Sequence, residues 1–264
     1  MIKVLLFASA TLLGGCTAQK VILRDADKDQ VLSIDNNNVY QPYELAPSRL
    51  ELLKQTAMMY SAQCSLRYHY KIINQVLMKN EFILNKSYNF QPLMLENDIV
   101  PPVVVSTERT VEQINGAHLI IADKSYKILK HGAFTTVPLN WKSYLIEKLY
   151  EPDLPEKGSL PGDNTEKEVW VRYAEQGWEA GKEQAFMMFK NNLARLNQEY
   201  VGMIMFHRLF QQGLMTAPII QSIENGVTTA PDVMNINQRI LAIAQQGFLE
   251  GDHKRWHSYI FFTE

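Results

Sequence analysis

Little in this chain points to chemistry. Only two of its 264 residues are cysteine, Cys16 and Cys64, so its own thiols cannot form a disulfide framework. No apolar run approaches the ~18 to 20 residues that span a bilayer. Neither sign of charge dominates: 26 Lys and Arg stand against 28 Asp and Glu, a net charge of -2. That balance excludes the electrostatic footprint of a nucleic-acid or anionic-membrane binder. The G-x-S-x-G, H-E-x-x-H and C-x-x-C signatures are missing, as is a Gly-rich phosphate loop. What is present is ordinary. Hydrophobic residues at 46% and charged residues at 20% argue against wholesale disorder. A mass of 30.4 kDa suffices for one large domain or two small ones.

The first fifteen residues read as an export signal rather than as fold. Lys3 is a short positive region, Val4 to Leu13 is an apolar core, and Gly14-Gly15 supplies the small residues a signal peptidase requires. Leu13-Gly14-Gly15-Cys16 resembles the lipobox of bacterial lipoproteins. The resemblance implies cleavage between Gly15 and Cys16, acylation of Cys16 and a new N-terminus there. Thr17, where an aspartate tends to favour inner-membrane retention, points to the outer membrane. Cleavage removes Lys3 and leaves 25 basic against 28 acidic side chains, a net charge of -3. Cys64 is then left without an internal partner and is expected as a buried apolar residue on a helix.

Residues 16–47 read as the lipidated N-terminus and a flexible tether, polar and acidic, with Pro42 and Pro47. Within it Asp25, Asp27 and Asp29 alternate as in a calcium loop. Gln30 stands where such a loop needs glycine and Asn36 where it needs a bidentate glutamate, so a solvated linker is the expectation.

Ser48-Arg49-Leu50-Glu51 has the pattern of a capping box and predicts a helix from Ser48 to about Asn80. Leu53, Ala57, Tyr60, Cys64 and Tyr68 fall at helical spacing along it. A loop is expected from Lys86 to Pro102, followed by a strand at VVVS. HLIIA and SYKIL read as strands around a turn at Asp123-Lys124, and WKSYLIEKLY as a short helix. Three prolines and two glycines make EPDLPEKGSLPGDN a surface connection. The proline-free interval after it predicts one long helix from Glu166 to Gln212, or two with a break near Gly202. Gly177, Gly181 and Ala185 form a stripe on one face of it, where another element can approach the backbone. The charges Glu179, Lys182 and Glu183 around that stripe exclude a lipid setting.

Two halves of the chain echo each other. PVVVS, SYKIL, GAF and WKSYL recur as PIIQS, RILAI, GF and WHSYI, at offsets of 114 to 116 residues. The expected fold is therefore α+β and helix-rich, long helices with short β-hairpins, with an internal two-fold repeat over about 48–150 and 165–264. Trp141 and Trp256 are its equivalent anchors. Together with Gly177, Trp178 and Gly181 they are the candidate packing or partner surface.

Site chemistry is sparse. His253 and His257 share a face if helical, but Lys254 and Arg255 lie between them, so a surface role outweighs metal binding. His69, His118, His131 and His207 are scattered. Phe186, Met187, Met188 and Phe189 form an apolar band suited to a core or a partner surface. No catalytic residue, metal or cofactor is expected.

Several segments together resemble the DotC/TraI family of lipoproteins from type IVB secretion and conjugation systems. They are the lipobox at Cys16, NFQPLMLENDIVPPVV at 89–104, ADKSYKI through NWKSYL at 122–145, GWEAGKEQA and FKNNLARLNQEYVGM at 177–203, and RILAI with Trp256. Lys124 stands where the family carries an arginine in the hairpin turn. The resemblance implies a periplasmic domain over 48–264 and a structural role in an outer-membrane core complex. Its implied partners are a secretin-like ring subunit and a second, smaller lipoprotein. An envelope hydrolase and a calcium-stabilised adhesion module remain as alternatives.

Overall fold

The structure is a computed structural model, described over residues 27–34, 46–115 and 118–257. The expected cleavage site, Cys16 and Thr17 lie outside these residues. Two long helices dominate: α2, Pro47–Lys79, continued after Asn80 by the short α3, Glu81–Ser87, and α5, Asn164–Gln211. The last is unbroken through Gly202 and, at ~1.5 Å per residue, about 72 Å long. The small α1, Lys28–Leu32, precedes them, and α4, Lys142–Leu145, lies between.

Helix starts follow local chemistry, with one departure from expectation. Asp163 caps α5 through the Glu166 amide at 2.7 Å. The capping box expected at Ser48 does not form. Pro47 already occupies the first turn, where its missing N–H costs nothing, and Ala46 is the cap residue. Glu51 accepts instead from the Gln55 amide one turn later. The acidic segment also departs from a solvated linker: Asp27 caps α1, which seats Val31 in the core.

α2 and α5 run parallel and pack by their small residues. The Ser61 hydroxyl donates to the Ala174 carbonyl, and that of Ser65 to the Trp178 carbonyl. Reciprocally, Gly177 lies against the Met58 backbone and Gly181 against that of Ala62; a Cβ on either would come within 2.9 Å of a backbone Cα. Ser61 and Gly177, Met58 and Ala174, Ser65 and Gly181, and Ala62 and Trp178 are each 116 residues apart. The contact is thus self-complementary about a local two-fold axis, like a dimer interface within one chain.

The same spacing persists beyond the helices. Phe90 and Phe206 are buried, and Asn97 and Gly213 both take left-handed backbone, at φ 59° and 71°. Each unit then forms a hairpin. In the first, β2, Val103–Asn115, pairs with β3, His118–Lys130; in the second, β5, Ile219–Ala230, pairs with β6, Val233–Gln245. Each hairpin has a short ladder at its base. In the first it is β1, Ile99–Val100, with β4, Ala133–Phe134; in the second it is the Met215–Leu249 bridge.

The turn expected at Asp123-Lys124 is not there. β3 runs straight through both residues, and Lys124 sits opposite Glu108. The ladder extends past them to the pairing of Asn115 with His118.

The chain returns from the far end of α2 to its start as an extended strap. The Tyr70 hydroxyl donates to the Leu145 carbonyl at 3.3 Å, and Asn74 to the Glu147 carbonyl at 2.9 Å. Arg49 reaches the carbonyls of Gly158 and Leu160. The proline-rich connection therefore lies along α2 and delivers α5 to begin beside it. At that junction the Arg49 guanidinium grips both oxygens of Glu166, at 2.8 and 2.9 Å, and holds its carboxyl below the ordinary range.

Candidate functional site

The expected site residues fall into two groups. Gly177, Gly181 and Trp178 lie in the α2–α5 seam, where the glycines admit the facing backbone and Trp178 is buried. Trp141 is fully buried, its indole N–H bonded to Asn85 Oδ1 at 2.7 Å. Trp256 is 47% exposed and bonds the Glu250 carbonyl at 3.0 Å. The two tryptophans are equivalent in sequence position and unequal in environment. Only Trp141 is enclosed, within the buried cluster that also holds Leu77, Phe90, Val103, Tyr144, Leu196 and Met203.

His253–Arg255 is a single 3-10 turn and Trp256 is extended. The helical spacing that would have aligned His253 with His257 is therefore absent. No group of three or more metal-ligating side chains occurs among the described residues. His69 and His207 are bonded to the carbonyls of Ser65 and Leu93 at 2.9 and 2.7 Å. The Phe186–Phe189 band divides: Phe186 and Met187 are exposed, and Phe189 packs on the core. Cys64 is buried in the separate cluster around Trp170 and Trp178, and burial pushes its thiol above its ordinary value, which suits an inert side chain.

Sequence reasoning missed a polar node at the root of the first hairpin. Lys130, the last residue of β3, pairs with the buried Glu199 of α5, and the Tyr144 hydroxyl donates to the other Glu199 oxygen at 2.7 Å. Burial, reinforced by the hydrogen bond to this carboxylate, pushes the Tyr144 phenol well above its usual value. The node buries a charge only with a partner and a second hydrogen bond, the condition under which such burial is tolerated. Its one sequence signal is a lysine ending an apolar strand, which is too common to single out.

Beyond their roots the two hairpins project. In the first, Val111, Ile114, Ile120 and Ile121 are exposed; in the second, Val227, Val233, Met234 and Ile236 are. A lone two-stranded hairpin is marginal in water, and its unpaired edges are templates for other chains. These arms are long and leave several apolar side chains uncovered.

A family model described as type IV secretory system, conjugal DNA-protein transfer, matches residues 47–258. The chain belongs to that family. The matched span takes in both helices, both hairpins and the strap, and so includes the whole repeat rather than one motif. No curated protein matches the chain. Among the described residues no helix is long and apolar enough to cross a membrane.

Proposed function

We propose that this member of the conjugal transfer family is a lipid-anchored structural component of the transfer apparatus. It sits on the periplasmic face of the outer membrane, held through acyl chains on Cys16. There it helps place or stabilise a secretin-like ring, together with a second small lipoprotein, and catalyses no reaction. The observation that carries this reading is the family match over 47–258. The lipobox at Cys16 and the two uncovered hairpins support it.

One acyl chain gives only marginal, reversible binding, so stable anchoring calls for more than one. Affinity purification from envelope membranes with Cys16 intact is the test. Recovery of a ring-forming subunit and a small lipoprotein supports the role, and a chain recovered alone overturns it. Cys16→Ser is expected to leave a folded protein that fractionates as soluble; firm retention in the outer membrane contradicts the anchor.

A further inference from the structure

Each hairpin is interrupted near its middle. In the first, Glu108 pairs with Lys124 and Thr110 with Ala122, but no ladder pair joins Arg109 to Asp123. Arg109 takes left-handed backbone there, at φ 51°. In the second, Glu224 pairs with Arg239 and Thr228 with Asn235. Between them Gly226 and Asn237 are left-handed, at φ 63° and 57°, and the register slips by one residue where Gly226 meets Gln238. In both arms the ladder then resumes in the register it had before. The two lapses correspond: Arg109 and Gly226 are 117 residues apart, against 116 in the helical seam. Asp123-Lys124, which the sequence offers as a turn, lies beside the first of them.

A left-handed residue turns a strand out of its pleat, and a bulge bends and twists the strand that carries it. An L side chain in that conformation crowds the neighbouring carbonyl, which glycine avoids. At Gly226 a Cβ would meet nothing within 4 Å, so backbone conformation rather than space calls for glycine. The parts on either side of each lapse also differ. Towards the root the first ladder is seated on α5 through Val103 and Val104. Past Val104 no residue of β2 is buried, and none of β5 or β6 is. Beyond its lapse the second ladder has three pairs, Thr228 with Asn235, Thr229 with Met234 and Ala230 with Val233. So short a hairpin is marginal in water on its own. One side-chain bond spans the gap, from the Thr228 hydroxyl to Gln238 Oε1 at 2.7 Å.

We propose that both arms are jointed: the outer segment of each opens and turns as a unit of its own about Arg109 or Gly226, while the root ladder keeps its place. The joint re-aims the exposed apolar tips, Val111 and Ile121 in the first arm and Val227 and Met234 in the second, without unseating the first hairpin from α5. The inference goes beyond the assembly role, since it concerns the chain alone and requires no other component of the apparatus.

The test is amide hydrogen exchange on the whole chain carrying Cys16→Ser. Hydrogen-bonded amides of residues 110–113 and 120–122 are expected to share one opening step. They should be at least about tenfold less protected than those of 105–107 and 125–127. Protection that falls off smoothly from root to tip overturns the joint. At an ordinary strand position valine holds a ladder better than glycine. Here the order is expected to reverse: Arg109→Gly keeps or raises tip protection, and Arg109→Val lowers it at least about fivefold, with root amides unchanged. Gly226→Val is expected to do the same to the second tip. Valine protecting as well as glycine at either position overturns the joint in that arm. Because exchange is read on the chain alone, these failures are distinct from failure of the envelope purification.

Discussion

The first and second hairpins have strands of nearly equal length, matching base ladders and a tryptophan downstream at the same spacing, yet the molecule treats them differently. At its root the first buries Val103 and Val104 and clamps Lys130 onto Glu199. The second buries nothing, and Gln245 stands where Lys130 does. Trp141 is enclosed; Trp256 is half exposed. The helices beneath them keep reciprocal contacts that a dimer of identical units would show. The symmetry is thus retained where it builds the core and dropped where it meets solvent. One hairpin is fixed in direction by α5, and the other is left to whatever it encounters.

That contrast can be broken in order of expected effect. Trp141→Ala empties a fully enclosed site and is expected to cost about 4 kcal/mol in denaturant unfolding; Trp256→Ala, at the equivalent position, is expected to cost less than about 1 kcal/mol. Equal losses would show that the second unit is more buried than described. Gly202→Val drives side-chain atoms into Val103 and the Val104 backbone. Unseating the first hairpin in this way is expected to cost about 3 kcal/mol. Retained protection of β2 amides in hydrogen exchange would contradict it.

Arg49→Ala strips Glu166 of a two-pronged partner where the two units begin, at about 2 kcal/mol. Because that pairing lowers the Glu166 value in the folded state, its contribution is fully present above the ordinary carboxylate value near ~4.3. It is lost as pH falls through the lower folded-state value. Glu166→Gln should therefore flatten the acid limb of a stability–pH profile and leave its neutral region parallel to wild type. Smallest of all, Ile236→Thr on the second hairpin is expected to change stability by no more than about 0.5 kcal/mol, since the side chain is exposed.

Much of this architecture was legible in the sequence, because its strongest signals are periodic. The long proline-free interval became one helix, the Gly177–Gly181 stripe faces another backbone, and the echo of PVVVS in PIIQS marks two equivalent strands. Single polar pairs misled. Asp123-Lys124 looks like a turn, yet Lys124 meets Glu108 across the ladder, and an opposite-charge pair suits mid-strand positions. The ladder instead continues to the pairing of Asn115 with His118. Val31 was hidden for another reason: with Leu32 and Ile34 it makes too short an apolar stretch to show a period, and the docking emerges only in the fold, where all three pack on the core and the Trp170 indole donates to the Val31 carbonyl at 3.1 Å.

That same Trp170 contact fixes one end of a measuring rod. The other end is Gly202, on which the first hairpin rests, 32 residues further along an uninterrupted α5. At ~1.5 Å per residue the hairpin root is held about 48 Å from the point where the N-terminal segment touches down. The strap, tied at both ends of α2, keeps the two helices in step along that distance. The root of the first hairpin thus stands roughly five nanometres from the docked N-terminal segment, a distance set by helix length.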